Sequence, residues 1–262
     1  MPEISVVIIT RNEEKSIGRC LESVRDIADE IVVVDSFSTD HTREICGQYG
    51  ARFIQHEFKG HIEQKNYALE QASFDHVLCL DADEELSAIM RASVMEVKNR
   101  WTHDAYSFNR LTWYCGKWIR HSTWYPSRKV RLADRTKVRW EGINPHDCLK
   151  TVPGVSQKHL MGDLLHYSYE SVEEHSEKVR RYAELSAQAY YRAGVRSGPV
   201  KILIHPVWRF IRDYIIELGF LDGWQGFTIA RLSARETLYK YRNTRKLCKE
   251  RSHGKTGEAE PV

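Results

Sequence analysis

Predicted strands and helices alternate along the first hundred residues of this 262-residue chain, and this alternation limits the folds open to it. The first two strand segments are nearly continuous β-branched runs, which are typical of strands buried on both faces. The strands cover residues 4–9, 31–34, 51–55 and 76–80, and the helices cover residues 14–27, 41–49, 62–72 and 86–100. Strands joined by helices of this length form βαβ units, which predicts a parallel sheet with right-handed crossovers.

The sequence pattern changes after residue 100. Alternating and aromatic residues predict strands at 105–114 and 130–140, so we expect the sheet to continue in mixed or antiparallel form. Helical spacing returns near Ser171, and further helices are predicted at 200–221 and 228–249. We therefore predict an α/β fold with a mixed, mainly parallel sheet flanked by helices and a C-terminal helical extension. The predicted divisions are a sheet domain of residues 1–170 with halves meeting at residue 100, a helical region of residues 171–250, and a flexible tail of residues 251–262.

Composition narrows the expected partners and compartment. The net charge is only +3, so no nucleic-acid partner is expected. Residues 229–255 nevertheless include nine Lys or Arg and only two Glu, and such a basic segment suits an anionic partner. The six cysteines have no C-x-x-C spacing, as expected of reduced thiols. We find no signal-peptide pattern and no apolar run of the ~20 residues that a membrane helix needs. We expect a cytoplasmic protein that could associate with the inner face of the membrane.

Polar clusters follow three of the predicted strands at the point where each strand ends. Thr10, Arg11, Asn12 and Glu13 follow the first strand, Asp35 and Ser36 follow the second, and Asp81, Ala82 and Asp83 follow the fourth. Open parallel sheets bind ligands outside the carboxyl ends of their strands. Two crowded carboxylates need a positive neighbour, and hard cations such as Mg²⁺ or Mn²⁺ prefer oxygen ligands. The pattern predicts a nucleotide pocket that contains a divalent cation.

Several of these residues also have a plainer interpretation. Asp35 could bind ribose hydroxyls or cap the following helix, and residues 10–13 could form a capping loop. Lys65 could meet a diphosphate or be a surface lysine. A Ca²⁺ loop is excluded because Leu86 and Ala92 stand where glycine and glutamate are required. A dinucleotide-binding loop is unexpected because residues 10–13 contain no glycine.

Four segments of the first half resemble glycosyltransferase family 2, whose members have the GT-A fold. They are residues 4–14 (ISVVIITRNEE), 31–40 (IVVVDSFSTD), 64–66 (QKN) and 80–84 (LDADE). Residues 164–169 (LLHYSY) and 219–223 (GFLDG) are similar to the bacterial lipopolysaccharide core β-glucosyltransferases of that family. The resemblance implies a metal-dependent, inverting transfer of a sugar from a nucleotide-diphosphate donor, such as a UDP-hexose, to a hydroxyl of a glycan or lipid-linked acceptor.

The resemblance also implies roles for single residues. Asp83 would hold Mg²⁺ or Mn²⁺, with His166 as a further ligand. Asp147 would be the general base, in preference to Glu141, although the chain has Asn144-Pro145-His146-Asp147 where the subgroup typically has Val-His-Glu. Contacts to the nucleotide sugar would come from Thr10, Arg11, Asn12, Glu13, Asp35, Ser36, Lys65, Asp81 and Ala82.

The acceptor would be bound by residues 101–170. Trp113 and Trp118 could stack on a sugar ring, although aromatic residues at strand spacing are also typical of a core. Arg128 and Arg131 could meet phosphate or acceptor anions, or be solvated. The basic, aromatic C-terminal helices could contact a membrane or only pack as a subdomain. A sugar nucleotidyltransferase and a non-catalytic nucleotide-binding protein are the alternative functions.

Overall fold

The computed structural model describes residues 1–143 and 146–254. The chain divides into two compact units. The first unit comprises residues 1–113 and 125–168, and the second comprises residues 114–124 and the chain from residue 169 onward. Of the predicted flexible tail, residues 251–254 belong to the last helix, and residues 255–262 lie outside the described residues.

The helices and strands of the first hundred residues confirm the predicted alternation. In chain order the strands are β1 (Ile4–Thr10), β2 (Glu30–Asp35), β3 (Arg52–Gln55), β4 (His76–Asp81), β5 (Glu84–Leu86), β6 (Ala105–Tyr114), β7 (Lys117–Ile119), β8 (Ser127–Asp134), β9 (Val138–Ile143), β10 (His146–Thr151) and β11 (Gln157–Tyr169). The helices are α1 (Ile17–Val24), α2 (Thr42–Gln48), α3 (His61–Glu70), α4 (Ala88–Asn99), α5 (Val172–Arg192), α6 (Pro199–Ile211) and α7 (Trp224–Gly254).

The main sheet of the first unit has a parallel part and an antiparallel extension. Its strand order is β3-β2-β1-β4-β8-β6-β11-β5. Strand β1 pairs in parallel with β2 and β4, and β2 pairs in parallel with β3. Strand β8 runs antiparallel to β4 and β6, and β5 runs antiparallel to β11. The predicted mixed α/β class is therefore confirmed. Strands β9 and β10 form a separate antiparallel hairpin.

Both faces of the parallel part are covered. Ile4, Val6 and Ile8 of β1 pack in one apolar cluster with residues of α1 and α4. Val7 points to the opposite face and packs in a second cluster with residues of α3 and the β9–β10 hairpin. Because both faces are buried, the strand ends are where polar groups can meet a ligand.

Two predicted elements are wrong in detail. The strand predicted at 130–140 is broken by a short 3₁₀ turn at Arg135–Lys137. The Asp134 carboxylate stabilises this turn by accepting from the Thr136 N–H at 2.9 Å and from its hydroxyl at 2.7 Å. The helix predicted at 200–221 ends earlier, because α6 passes into a π-helical turn at Arg212–Ile216 and a 3₁₀ turn at Gly219–Asp222.

The second unit is mainly helical and contains α5, α6 and α7. One of its buried groups is His175, whose ring lies among those of Tyr114, Trp124 and Tyr169 at centroid distances of 5.3, 5.6 and 4.4 Å. Burial lowers the pKa of His175 to about 4. No helix in the described part of the chain is both long enough and apolar enough to cross a membrane.

Candidate active site

Strand register brings three of the predicted polar segments together. Thr10 lies opposite Asp35 across the β1–β2 pair, and Ile9 lies opposite Asp81 across the β1–β4 pair. The carboxyl ends of β1, β2 and β4 are therefore adjacent, as the sequence predicted. The ligand contacts assigned to residues in these segments stay predictions.

The loop after β1 is fixed by the loop after β2. Asn12 has a φ of +55°, in the left-handed region that Asn adopts more readily than most residues, and its N–H donates to Ser38 Oγ at 2.7 Å. The Asn12 side-chain oxygen accepts from the Thr39 N–H at 2.8 Å. The buried Asp35 carboxylate accepts from the Ser38 N–H at 2.8 Å and from the Ser38 hydroxyl. Asp35 thus shapes this loop while facing the end of β1.

Two hydroxyl groups lie at the same strand ends. The Thr10 hydroxyl is buried and has no hydrogen-bond partner among the described residues, whereas buried polar groups normally have one. The Ser36 hydroxyl accepts from Gln64 Nε2 at 3.0 Å. Arg11 is exposed, and the Glu13 N–H donates to Thr42 Oγ1 at 2.9 Å.

Residues 64–66 of α3 each hold a different segment. Gln64 binds Ser36, as described above, and Asn66 exchanges two hydrogen bonds with the backbone of Trp140, at 2.9 and 3.0 Å. Between them Lys65 is buried, and its Nζ lies 2.8 Å from Asp81 Oδ1 and 2.7 Å from Asp147 Oδ2. Burial would lower the pKa of Lys65, but the two carboxylates raise it above its ordinary value. The surface interpretation of Lys65 is therefore wrong.

Arg131 is a second buried cation. We call Lys65, Arg131, Asp81, Glu84 and Asp147 the charged cluster. Arg131 Nη2 donates to Glu84 Oε1 at 2.8 Å and to Asp81 Oδ2 at 3.2 Å. Arg131 is 3% exposed and Glu84 is 1% exposed, so the solvated interpretation of Arg131 is wrong. Burial would raise the pKa of Asp81, but the charges of Lys65 and Arg131 outweigh it and hold that pKa well below its ordinary value.

Glu84 also supports the backbone of the Asp81–Asp83 turn. Its Oε2 accepts from the Asp81 N–H at 3.0 Å, while its Oε1 binds Arg131. This role of Glu84 is not among those predicted from the sequence. Its position three residues after Asp81 was the available signal, because a carboxylate at that spacing can reach back across a tight turn to a backbone N–H.

Asp83 lies beside His166. Asp83 Oδ2 is 3.2 Å from His166 Nε2, and both side chains are partly exposed, at 29% and 16%. The pairing of β11 with β5 produces this contact, since His166 lies opposite Glu84 and the Tyr167 N–H donates to the Asp83 carbonyl at 3.0 Å. The predicted metal ligands Asp83 and His166 are thus adjacent, whereas Asp81 is bound by Lys65 and Arg131.

Asp83 and His166 can supply only two of the ligands that a divalent cation needs. Within residues 1–143 and 146–254 no three His, Cys, Asp or Glu side chains are grouped so as to hold a metal ion. One carboxylate and one imidazole leave most of an octahedral shell to other oxygens, which a diphosphate and water can provide. The donor set therefore fits a cation that is shared with a bound diphosphate.

The two candidate bases differ in their surroundings. The Asp147 side chain is 11% exposed and contacts Lys65 in the charged cluster. The Glu141 side chain is 52% exposed and lies 3.3 Å from Lys150 on the hairpin. Asn144 and Pro145, which precede Asp147 in the predicted motif, lie outside the described residues.

The predicted acceptor contacts differ in burial and in the unit to which they belong. Trp113 is partly buried, with its ring centroid 6.3 Å from that of Tyr167. Trp118 lies on β7, in the second unit. Arg128 is exposed on β8, whereas Arg131 belongs to the charged cluster. Their acceptor roles stay predictions.

Comparisons with known proteins agree with the resemblance seen in the sequence. The family model described as glycosyl transferase family 2 matches residues 5–160, which is more than half of the chain. An uncharacterized glycosyltransferase of Rickettsia typhi is 32% identical over 238 residues, covering 87% of this chain and 81% of that protein. The lipopolysaccharide core biosynthesis glycosyltransferase LpsC of Rhizobium meliloti is 28% identical over 252 residues, covering 91% of this chain and 93% of LpsC. This chain therefore belongs to glycosyltransferase family 2.

Proposed function

We propose that this glycosyltransferase transfers a hexose, with inversion, from a UDP-sugar to a hydroxyl of a lipopolysaccharide core or another cell-surface glycan. The observation that carries the proposal is the placement of Asp83 and His166 beside the joined ends of β1, β2 and β4. The likeness to LpsC over 91% of the chain supports the choice of acceptor class.

The donor would be held at the strand ends. Asp35 is fully buried and accepts two hydrogen bonds from Ser38, so its role would be to order the loop that borders the ribose and base. The Thr10 hydroxyl is buried and has no partner among the described residues, and a bound nucleotide would provide one. Arg11, Asn12, Glu13 and Ser36 border the same place.

Asp83 and His166 would hold Mg²⁺ or Mn²⁺ against the donor diphosphate. When bound, such a cation neutralises the charge that develops on the departing diphosphate. Lys65 and Arg131 are bound to carboxylates, so they serve to hold Asp81 and Asp147 in place and do not replace the cation.

Asp147 would act as the general base. Its carboxylate accepts the proton of the acceptor hydroxyl as the hydroxyl oxygen bonds to the anomeric carbon, and the electron pair of the breaking C–O bond leaves on the diphosphate. Lys65 positions this carboxylate through the 2.7 Å contact. One carboxylate suffices, because the leaving group needs no general acid, in contrast to glycoside hydrolases.

The configuration of the product tests the transfer. Purified protein would be incubated with Mn²⁺, an α-linked UDP-hexose and a core oligosaccharide acceptor, and the new linkage would be assigned by NMR. We expect a β-linked product, and an α-linked product would contradict inversion. Release of a nucleotide sugar from a sugar phosphate and UTP would instead indicate a nucleotidyltransferase. Binding of nucleotide without either product would indicate a non-catalytic protein.

We also propose that the protein works on the cytoplasmic face of a membrane, where a lipid-linked acceptor is available. The basic, aromatic C-terminal helices support this location.

A further inference from the structure

Exposed apolar side chains are concentrated in one part of the second unit. Between residues 200 and 227, twelve large apolar side chains are 45–69% exposed, whereas the rest of the described chain has six large exposed apolar side chains. Scattered exposed apolar residues are ordinary, but a concentrated group marks an interaction surface. We call the twelve side chains the apolar face.

One half of the apolar face is a stripe along α6. Leu203 and Val207 are 69% and 59% exposed, and Ile204 and Trp208 are 58% and 54% exposed. Each pair is spaced by four residues, so the four side chains lie along one side of the helix. None of the residues of α6 is buried. The helix therefore presents a continuous apolar side.

The other half, at residues 215–227, is anchored to the end of α6. The buried Asp213 carboxylate accepts from Arg209 Nε at 2.5 Å and from Arg212 Nε at 3.0 Å. A Cβ atom at Gly219 would overlap the Asp213 carbonyl oxygen, and one at Gly226 would overlap the Gly219 carbonyl oxygen. These close approaches explain why residues 219 and 226 are glycines and show that the backbones of this half of the face are closely packed.

The charges around the apolar face are mostly positive. Between residues 196 and 231 the basic residues are Arg196, Lys201, Arg209, Arg212 and Arg231. Of the three acidic residues in the same span, Asp213 and Asp222 are buried and hydrogen-bonded, and Glu217 is exposed. The span has a net charge of +2, and Arg209 and Arg212 are partly neutralised by Asp213. An apolar surface with a basic border complements an anionic lipid surface.

We infer that the apolar face docks in the plane of an anionic phospholipid bilayer, with Trp208 and Trp224 at the level of the headgroups. Both indole rings are about half exposed, and Trp is favoured at this depth. A second copy of the chain is a poorer occupant, because a two-fold interface would bring two basic borders together. The inference specifies the proposed membrane location and is independent of the transfer chemistry. It assigns docking to α6, the turns after it and the first turn of α7, and not to the basic remainder of α7.

Flotation with phospholipid vesicles tests this docking. The full chain would be mixed with vesicles of phosphatidylcholine alone or with phosphatidylglycerol added, at low salt and at physiological salt. We expect the wild type to float with the anionic vesicles, and the Leu203→Glu/Leu221→Glu variant to lose at least ten-fold in bound fraction. The control Ile89→Glu/Met161→Glu alters residues that are 62% and 76% exposed in the first unit, and it should bind as the wild type does.

Four further measurements test the proposed docking. Brominated acyl chains should quench the wild-type fluorescence more than that of Trp208→Phe/Trp224→Phe, and equal quenching would overturn the inference. Sedimentation of the wild type as a dimer that Leu203→Glu/Leu221→Glu dissociates, without vesicle binding, would assign the face to a second copy. Loss of binding in Arg235→Glu/Arg242→Glu alone would assign docking to the basic remainder of α7. Nucleotide-sugar turnover with a soluble acceptor should persist in the Leu203→Glu/Leu221→Glu variant, so failure of docking is distinguishable from failure of the proposed chemistry.

Discussion

Lys65 Nζ lies 2.7 Å from Asp147 Oδ2, so α3 and the β9–β10 hairpin meet in an ion pair between residues 82 positions apart in the sequence. The same nitrogen contacts Asp81 at the end of β4. One buried lysine therefore joins the donor side of the proposed site to the proposed base.

Removing the charge of Lys65 should destabilise the protein. Lys65→Met leaves Asp147 buried without its cation, and breaking a buried pair costs about 3 kcal/mol at the lower end of the usual range, because Asp81 keeps Arg131. Urea unfolding measures the loss. The control is Lys246→Met, which breaks an exposed pair and should change stability by less than about 0.5 kcal/mol. Equal effects of the two substitutions would contradict the structural role of Lys65.

The rise in melting temperature caused by Mn²⁺ should depend on Asp83 and His166. We expect Mn²⁺ to raise the melting temperature of the wild type further when a UDP-sugar is present, because cation and diphosphate bind together. Asp83→Asn should abolish this additional rise, and His166→Gln should reduce it. Asp163→Asn is a control on the same strand as His166 and should behave as the wild type. A full Mn²⁺ response in Asp83→Asn would contradict the metal assignment.

The mixed sheet could be predicted because its signals are local. The β-branched runs of β1 and β2 and the polar residues that follow them are visible in the sequence and correspond to adjacent strand ends in the structure. Strand β5 could not be predicted in this way. It has three residues, and it is a strand only because it pairs with β11, 78 positions away at Leu86 and Leu164.

The burial of the cations was also hidden from the sequence. A pattern of residue types predicts Lys and Arg to be solvated, since these residues are rarely buried unless they are paired. Lys65 and Arg131 are buried because carboxylates from three other segments converge on them. Such pairing depends on the tertiary fold. The motif 80–84 marks the proposed site, but its residue types do not show that Asp81 is bound by two buried cations while Asp83 lies beside His166.

Stability should fall on acidification partly through His175. Its pKa is about 4 in the folded protein and about 6.5 when unfolded, so the unfolded state binds the proton more readily. The contribution of His175 to the free energy of unfolding is fully present above pH 6.5. It falls by about 3 kcal/mol as the pH approaches 4. His175→Phe should lose less stability than the wild type between pH 7 and pH 4.5 in urea unfolding.

The control for this pH effect is Val179→Ala, at another buried position of α5. It should lower stability equally at both pH values and keep the wild-type pH dependence. An unchanged pH dependence in His175→Phe would contradict the role given to burial.

The close approach of two backbones should make Gly226 intolerant of a side chain. Gly226→Ala places a methyl group against the Gly219 carbonyl oxygen, and such overpacking costs about 1–3 kcal/mol or more. Gly47→Ala is the matched control, since Gly47 is also in a helix, α2, and nothing lies within 4 Å of its added Cβ. Thermal unfolding of both variants measures the difference. A wild-type melting temperature for Gly226→Ala would show that the 219–226 segment packs less closely than described.

The Asp147→Asn variant separates the proposed role of Asp147 as general base from binding of the donor. Turnover would be measured with a UDP-sugar and acceptor, and donor binding would be measured by calorimetry with Mn²⁺. We expect donor binding to persist and kcat to fall by about 10²- to 10⁴-fold, the usual contribution of a general base, while Glu141→Gln keeps its turnover. Wild-type kcat in Asp147→Asn, or loss of turnover in Glu141→Gln alone, would contradict the account.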